Sequence, residues 1–131
     1  MTYLALLAQV KGIIYYTYAD GSFFLPDSTE LHQAAQALPA ELKDLLPMVM
    51  DGHFELHAAD VDRVYIGSWN MNERRRIVIV NADKERTVPF AYEAREPGLP
   101  TVLYGEAIGM RREDAIIRAE IKPLERIVLL E

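Results

Sequence analysis

His53 and His57 stand four residues apart. On a helix that interval sets two imidazoles on one face, where they can chelate a metal. The segment HFELH leads into an Asp-rich turn and reads as a strand. At about 3.3 Å per residue the two rings then lie roughly 13 Å apart and cannot share an ion. Asp60 and Asp62 offer two carboxylates to calcium, which takes about six to eight oxygen ligands. Neither pair predicts a metal, and no cofactor is expected. Arg74, Arg75 and Arg76 form the only basic run. Such a run can grip phosphate or an acidic sugar. More simply, it caps an exposed hairpin and is balanced by Glu73 and Asp83. Trp69 is the sole tryptophan, and its ring can serve as a platform for sugar stacking. Alternation of Val64 and Ile66 against Tyr65, Gly67 and Trp69 places it on the face of Tyr65. That face is either the inter-sheet core or the wall against the helices, and a core role is a simpler reading than a sugar platform.

The absences are as informative. There is no cysteine, which excludes disulfides, thiolate metal sites and a thiolate nucleophile. No Gly-rich phosphate loop, nucleophile elbow or Ser-His-Asp arrangement with diagnostic context is present. No catalytic residue is expected within this chain.

The elements that must carry these residues fit one small domain with an appendage. The chain has 131 residues, half of them hydrophobic and 26% charged, an ordinary composition for a soluble globular protein. A net charge of −6 argues against nucleic acid or an anionic membrane as partner. The apolar runs are far shorter than the roughly 20 residues of a spanning helix, and the first ten residues lack the basic start of a signal peptide. A soluble protein, cytoplasmic or secreted, is expected.

Thr2 to Gln9 reads as the last turns of a helix, punctuated by Gly12. Ile13 to Tyr18, IIYYTY, is β-branched and aromatic, and reads as a strand buried on both faces. Asp20-Gly21 offers a turn, either of a short hairpin or of a loop into the next helix. Asp27 and Glu30 suit the start of that helix. Leu31, Ala34, Ala35, Leu38, Leu42, Leu45 and Leu46 then follow one helical stripe. Pro39 should kink or split it and Pro47 should end it. From His53 on, apolar-alternating runs separated by turn residues predict strands near His53–His57, Arg63–Trp69, Ile77–Asn81, Thr87–Ala91, Thr101–Tyr104, Ala115–Ile121 and Ile127–Leu130. The expected fold is mainly β: an antiparallel sandwich of about seven strands over residues 53–131, preceded by a helix–strand–helix segment over residues 1–52.

The succession LLAQVKGIIYYTYADG, then LPAELKDLLPMVMDG with its Ala40-Glu41-Leu42 phrase, resembles the end of a (β/α)8-barrel glycoside hydrolase. VYIGSWNMNERRRIVIVNADKERTVPF resembles the first hairpin of the C-terminal β-domain of such enzymes, with Asn81 closing its second strand. IKPLERIVLLE resembles the last hairpin. The resemblance implies the last βα unit and C-terminal β-domain of a glycosidase-like protein, with the catalytic acid/base and nucleophile on an upstream barrel. That barrel would be the main partner. Residues at the C-terminal ends of barrel strands face the active site, so Tyr16, Tyr18 and Asp20 become candidates to line a substrate cleft in the intact protein. The alternative makes the tyrosines core and Asp20 part of a turn. A glycosidase site needs two carboxyl groups about 5–10 Å apart. Glu55, Glu93, Glu106 and Glu120 read instead as solvent-facing strand residues.

Three functions stay open: an accessory module that stabilises or covers the barrel, a carbohydrate-binding sandwich using Trp69, and a module that self-associates through its N-terminal segment into a homo-oligomer.

Overall fold

The structure, a computed structural model, describes residues 1–10, 12–15 and 18–131. Two helices and ten strands form among them. They are α1 (Thr2–Leu7), β1 (Ala19–Asp20), β2 (Phe23–Phe24), α2 (Thr29–Asp51), β3 (His53–His57), β4 (Val64–Met71), β5 (Arg74–Asn81), β6 (Val88–Glu93), β7 (Thr101–Tyr104), β8 (Ile108–Glu113), β9 (Ile116–Ile121) and β10 (Arg126–Leu130).

Eight strands make the antiparallel sandwich. One sheet runs β3-β4-β5-β10-β7, and the other runs β6-β9-β8. β5 shows why three layers result. Its IVIV run is buried on both faces, as a strand at the centre of a stack must be. Ile77 and Ile79 point into the inter-sheet core with Ile66, Phe90, Ile117 and Ile127. Val78 and Val80 point the other way, where Tyr3, Leu6, Leu7, Leu45 and Met48 of the two helices cover them. A helix as short as α1 is marginal by itself; this packing holds it. Gly67 admits α1 to the sheet, because a Cβ there would lie 2.5 Å from Leu7 Cδ2 and 2.9 Å from Phe54 Cε2.

Turn chemistry sets the register. Met71 pairs with Arg74, and the two residues between them, Asn72 and Glu73, have φ of 50° and 61°. That is the backbone of a tight two-residue hairpin turn. At the far end Asn81 is a buried hub. Its side-chain amide donates to the carbonyls of Arg86 at 2.8 Å and Lys122 at 3.0 Å, and its Oδ1 accepts from Asp83 N–H at 2.8 Å.

The structure corrects several expectations. No strand forms over Gly12–Tyr15; Tyr16 and Thr17 lie outside the described residues. Ile14 is 95% exposed, because among the described residues no neighbouring strand pairs with this stretch. Among the described residues of 1–52 the elements are helix, a hairpin of two-residue strands, and helix, the hairpin turning at Gly21 (φ 43°). α1 ends before Gly12, with Gln9 taking the left-handed position at φ 55°. α2 runs unbroken through both Pro39 and Pro47. Leu45 and Met48, packed on the sheet around Pro47, hold its last turns despite the lost amide donor. The expected antiparallel sandwich of about seven strands is present, with eight. β8 escapes a sequence reading because charged residues and Gly109 interrupt its alternation.

Candidate functional site

Tyr18 and Asp20 lie on the small hairpin. Tyr18 is 58% exposed and meets Phe24 edge-on at 5.5 Å, and Asp20 is solvent-facing. Tyr16, the third predicted cleft residue, lies outside the described residues. Trp69 sits between the sheet and the helices at 2% exposure, tilted against Phe54 at a centroid distance of 4.9 Å. Neither face of its ring is open to a sugar, which is the core reading of this residue.

His53 and His57 do lie on a strand, β3. Among the described residues no three His, Asp or Glu side chains group as metal ligands. His57 instead joins a polar cluster at one end of the inter-sheet core. Its Nε2 is 2.8 Å from Ser68 Oγ and 3.3 Å from Arg75 Nη2. Guanidinium can only donate, so Nε2 accepts and the ring proton sits on Nδ1. Burial, and next the Arg75 charge, push the His57 pKa down. Ser68 is fully buried, and the lone pair that would activate it is shared with Arg75. This triplet clasps the three strands β3, β4 and β5 and offers no nucleophile.

Arg75 itself is the residue that sequence reasoning missed. It is not a solvated hairpin cap. Its Nη1 donates to Glu131 Oε2 at 3.0 Å and to the Glu93 carbonyl at 3.0 Å, and its guanidinium lies 5.9 Å from the Tyr92 ring centre. Alternation carried the signal, since Arg75 is in phase with Ile77, Ile79 and Asn81. Arg76 points to the opposite face and reaches Asp44 of α2 at 3.6 Å. Asp83 balances Arg86, at 2.7 Å, and not the basic run.

A cleft of about 310 Å³ opens beside the loop 58–63. Residues lining it include the apolar Val61, Val64, Ile66, Phe90 and Ala119, of which the last four belong to the buried inter-sheet core, and the charged Asp60, Glu120, Arg111 and Arg118. Arg111 and Arg118 are cross-strand partners on β8 and β9. Glu113 braces both, accepting from Arg111 Nε at 2.8 Å and from Arg118 Nε at 2.7 Å. These two hydrogen bonds lower the Glu113 pKa.

No family model and no curated protein matches the chain. Its fold is similar to that of the crystal structure of an alpha-amylase from H. orenii, with a TM-score of 0.63 over 87% of this chain at 17% sequence identity. The likeness is one of fold. The chain spans 23% of the length of that amylase. No described helix is long and apolar enough to cross a membrane.

Proposed function

We propose that this chain is a non-catalytic accessory region of a glycoside-hydrolase-like protein. Residues 53–131 form its C-terminal β-domain, and residues 1–52 join that domain to an upstream catalytic barrel. The observation that carries the reading is the proportion of the fold match: nearly all of this chain against less than a quarter of an amylase. The surface of the N-terminal segment supports it. Ile14, Tyr15, Phe23, Phe24 and Leu31 are 41–95% exposed, a run of apolar side chains that suits burial against further structure. In this reading the sandwich stabilises and covers the barrel, and Tyr18 and Asp20 sit near its substrate end.

The test is the native polypeptide. A product several times this length, with a barrel upstream, supports the proposal, and removal of residues 53–131 then lowers its thermal stability. A native product of this length alone overturns it. Self-association through the N-terminal segment is the second reading, favoured by the same exposed residues. Sedimentation separates the two: a strict monomer at high concentration eliminates self-association.

A further inference from the structure

We propose that β3 is a self-pairing edge: two copies of this chain join their β3 strands antiparallel about a two-fold axis, with Phe54 opposite Leu56 of the second copy. β3 ends the five-stranded sheet and pairs with β4 alone. Which of its backbone groups face outward follows from the ladders beyond it. Arg75 and Glu131 exchange both backbone hydrogen bonds, so Arg75 faces β10 and, by alternation, Arg76 and Val78 face β4. Their partners Trp69 and Gly67 face β5, and Asn70, Ser68 and Ile66 therefore face β3. His53, Glu55 and His57 answer them, which leaves Phe54 and Leu56 turned to the open side. Among the described residues no backbone group bonds the outward N–H and C=O of these two.

The strand's own pattern selects a second copy as the occupant. HFELH has one order of polarity in both directions: imidazole, apolar, acidic, apolar, imidazole. With the axis at Glu55, both outward residues find outward partners and their backbone hydrogen bonds close. A slip of two residues would carry Phe54 or Leu56 past the end of the opposite strand. Leu56, 66% exposed on the face that also carries Tyr65 at 45%, gains Phe54 of the second copy as cover. Glu55 meets its own copy, and Arg95 holds each carboxylate at 2.7 Å, which offsets the like charges. The other edges of the sandwich are blunted. β6 carries Pro89, and the registers of β7 on β10 and of β8 on β9 are interrupted. β3 has no proline, no lysine and an unbroken register. Failure of this pairing leaves the accessory-domain reading untouched, since that reading is tested by the length of the native product.

The experiment combines sedimentation equilibrium with cross-linking of the intact chain. A single edge pairing is a small interface, so dimerisation is expected with a Kd on the order of 0.1 mM. Leu56→Lys, at an exposed position, should keep the circular dichroism spectrum and raise that Kd at least about tenfold. The chain has no cysteine, so a single introduced one can pair only with its own copy. Glu55 would sit opposite itself at a position without mutual hydrogen bonds, where side chains approach most closely. E55C should therefore form a disulfide dimer under mild oxidation at least about tenfold faster than H53C or I14C. A strict monomer at about 1 mM chain, dimerisation unchanged by Leu56→Lys, or faster cross-linking of I14C than of E55C would each overturn the proposal. The last result would place self-association on the N-terminal segment instead.

Discussion

Tyr3 Oη donates to Glu41 Oε2 at 2.6 Å, and this contact is half of a three-element clasp. The other oxygen of Glu41 accepts from Arg126 Nη2 at 2.6 Å, and the Arg126 guanidinium lies 5.8 Å from the centre of the Tyr3 ring. One carboxylate thus ties α1 and α2 to β10 at the margin of an apolar layer. Burial, and next the Glu41 carboxylate, raise the Tyr3 pKa far above the phenol range, so the phenol keeps its proton and remains a donor.

Glu41→Ala should leave Arg126 and Tyr3 without their acceptor in a partly buried site, at a cost of about 2 kcal/mol. Because Trp69 lies under the helices, their loosening should red-shift its fluorescence before the sandwich melts. A single coincident transition with unshifted emission in the native baseline would show that the clasp contributes little to docking the helices.

Arg75 and Glu131 form an ion pair with side chains only 7% and 3% exposed. Arg75→Ala should cost about 3–5 kcal/mol, because it leaves a buried carboxylate unpaired. The double variant R75M/E131L should recover most of that loss in urea unfolding. Equal destabilisation of the single and double variants would mean that the Glu93 and His57 contacts of Arg75, not the ion pair, carry its role.

Acid should act through Asp83. The Glu85 amide, and next the Arg86 side chain, hold its carboxyl down at about 2, against roughly 3.9 in an unfolded chain. A lowered carboxylate pKa stabilises the fold above the unfolded value, and that contribution is lost as pH falls through the folded value. Asp83→Asn should therefore flatten stability against pH between about 4 and 2. His57 acts in a separate window. Its folded pKa is lowered, so the unfolded chain takes up a proton first and stability should decline as pH drops below about 6.5. His57→Gln should remove that slope, and an unchanged slope would place the titration elsewhere.

Gly105→Ala should be among the most damaging small substitutions. Gly105 has φ +84°, and a Cβ there would run into the Arg126 carbonyl oxygen. Strain and overlap together should cost about 2 kcal/mol or more. Ala at Gly98, which also has positive φ but open space around it, should cost less. Chemical denaturation of the two variants measures the difference.

Strand positions after His53 were legible because the relevant signals are local. Period-2 alternation and turn residues at Asn72-Glu73, Glu96–Gly98 and Lys122–Leu124 need no knowledge of partners. β8 was illegible because its charged residues mask a strand whose stability comes from β9 beside it. IIYYTY misled for the complementary reason: its composition describes a buried strand, and burial requires neighbours. The cleft is invisible in the sequence, since loop 58–63, β6, β8 and β9 meet only in space.

The amino-acid sequence by itself determined the class of the fold, the alternation that sends Ile77 and Val78 to opposite layers, and the absence of thiol chemistry. These follow from side-chain period and residue type, which act over a few residues. Tertiary structure decided that Arg75 is buried and Arg74 is not, that Trp69 lies beneath helices, and that Arg111 and Arg118 share one glutamate. Each depends on which strand lies alongside, and burial and charge pairing are properties of neighbours far apart in the chain.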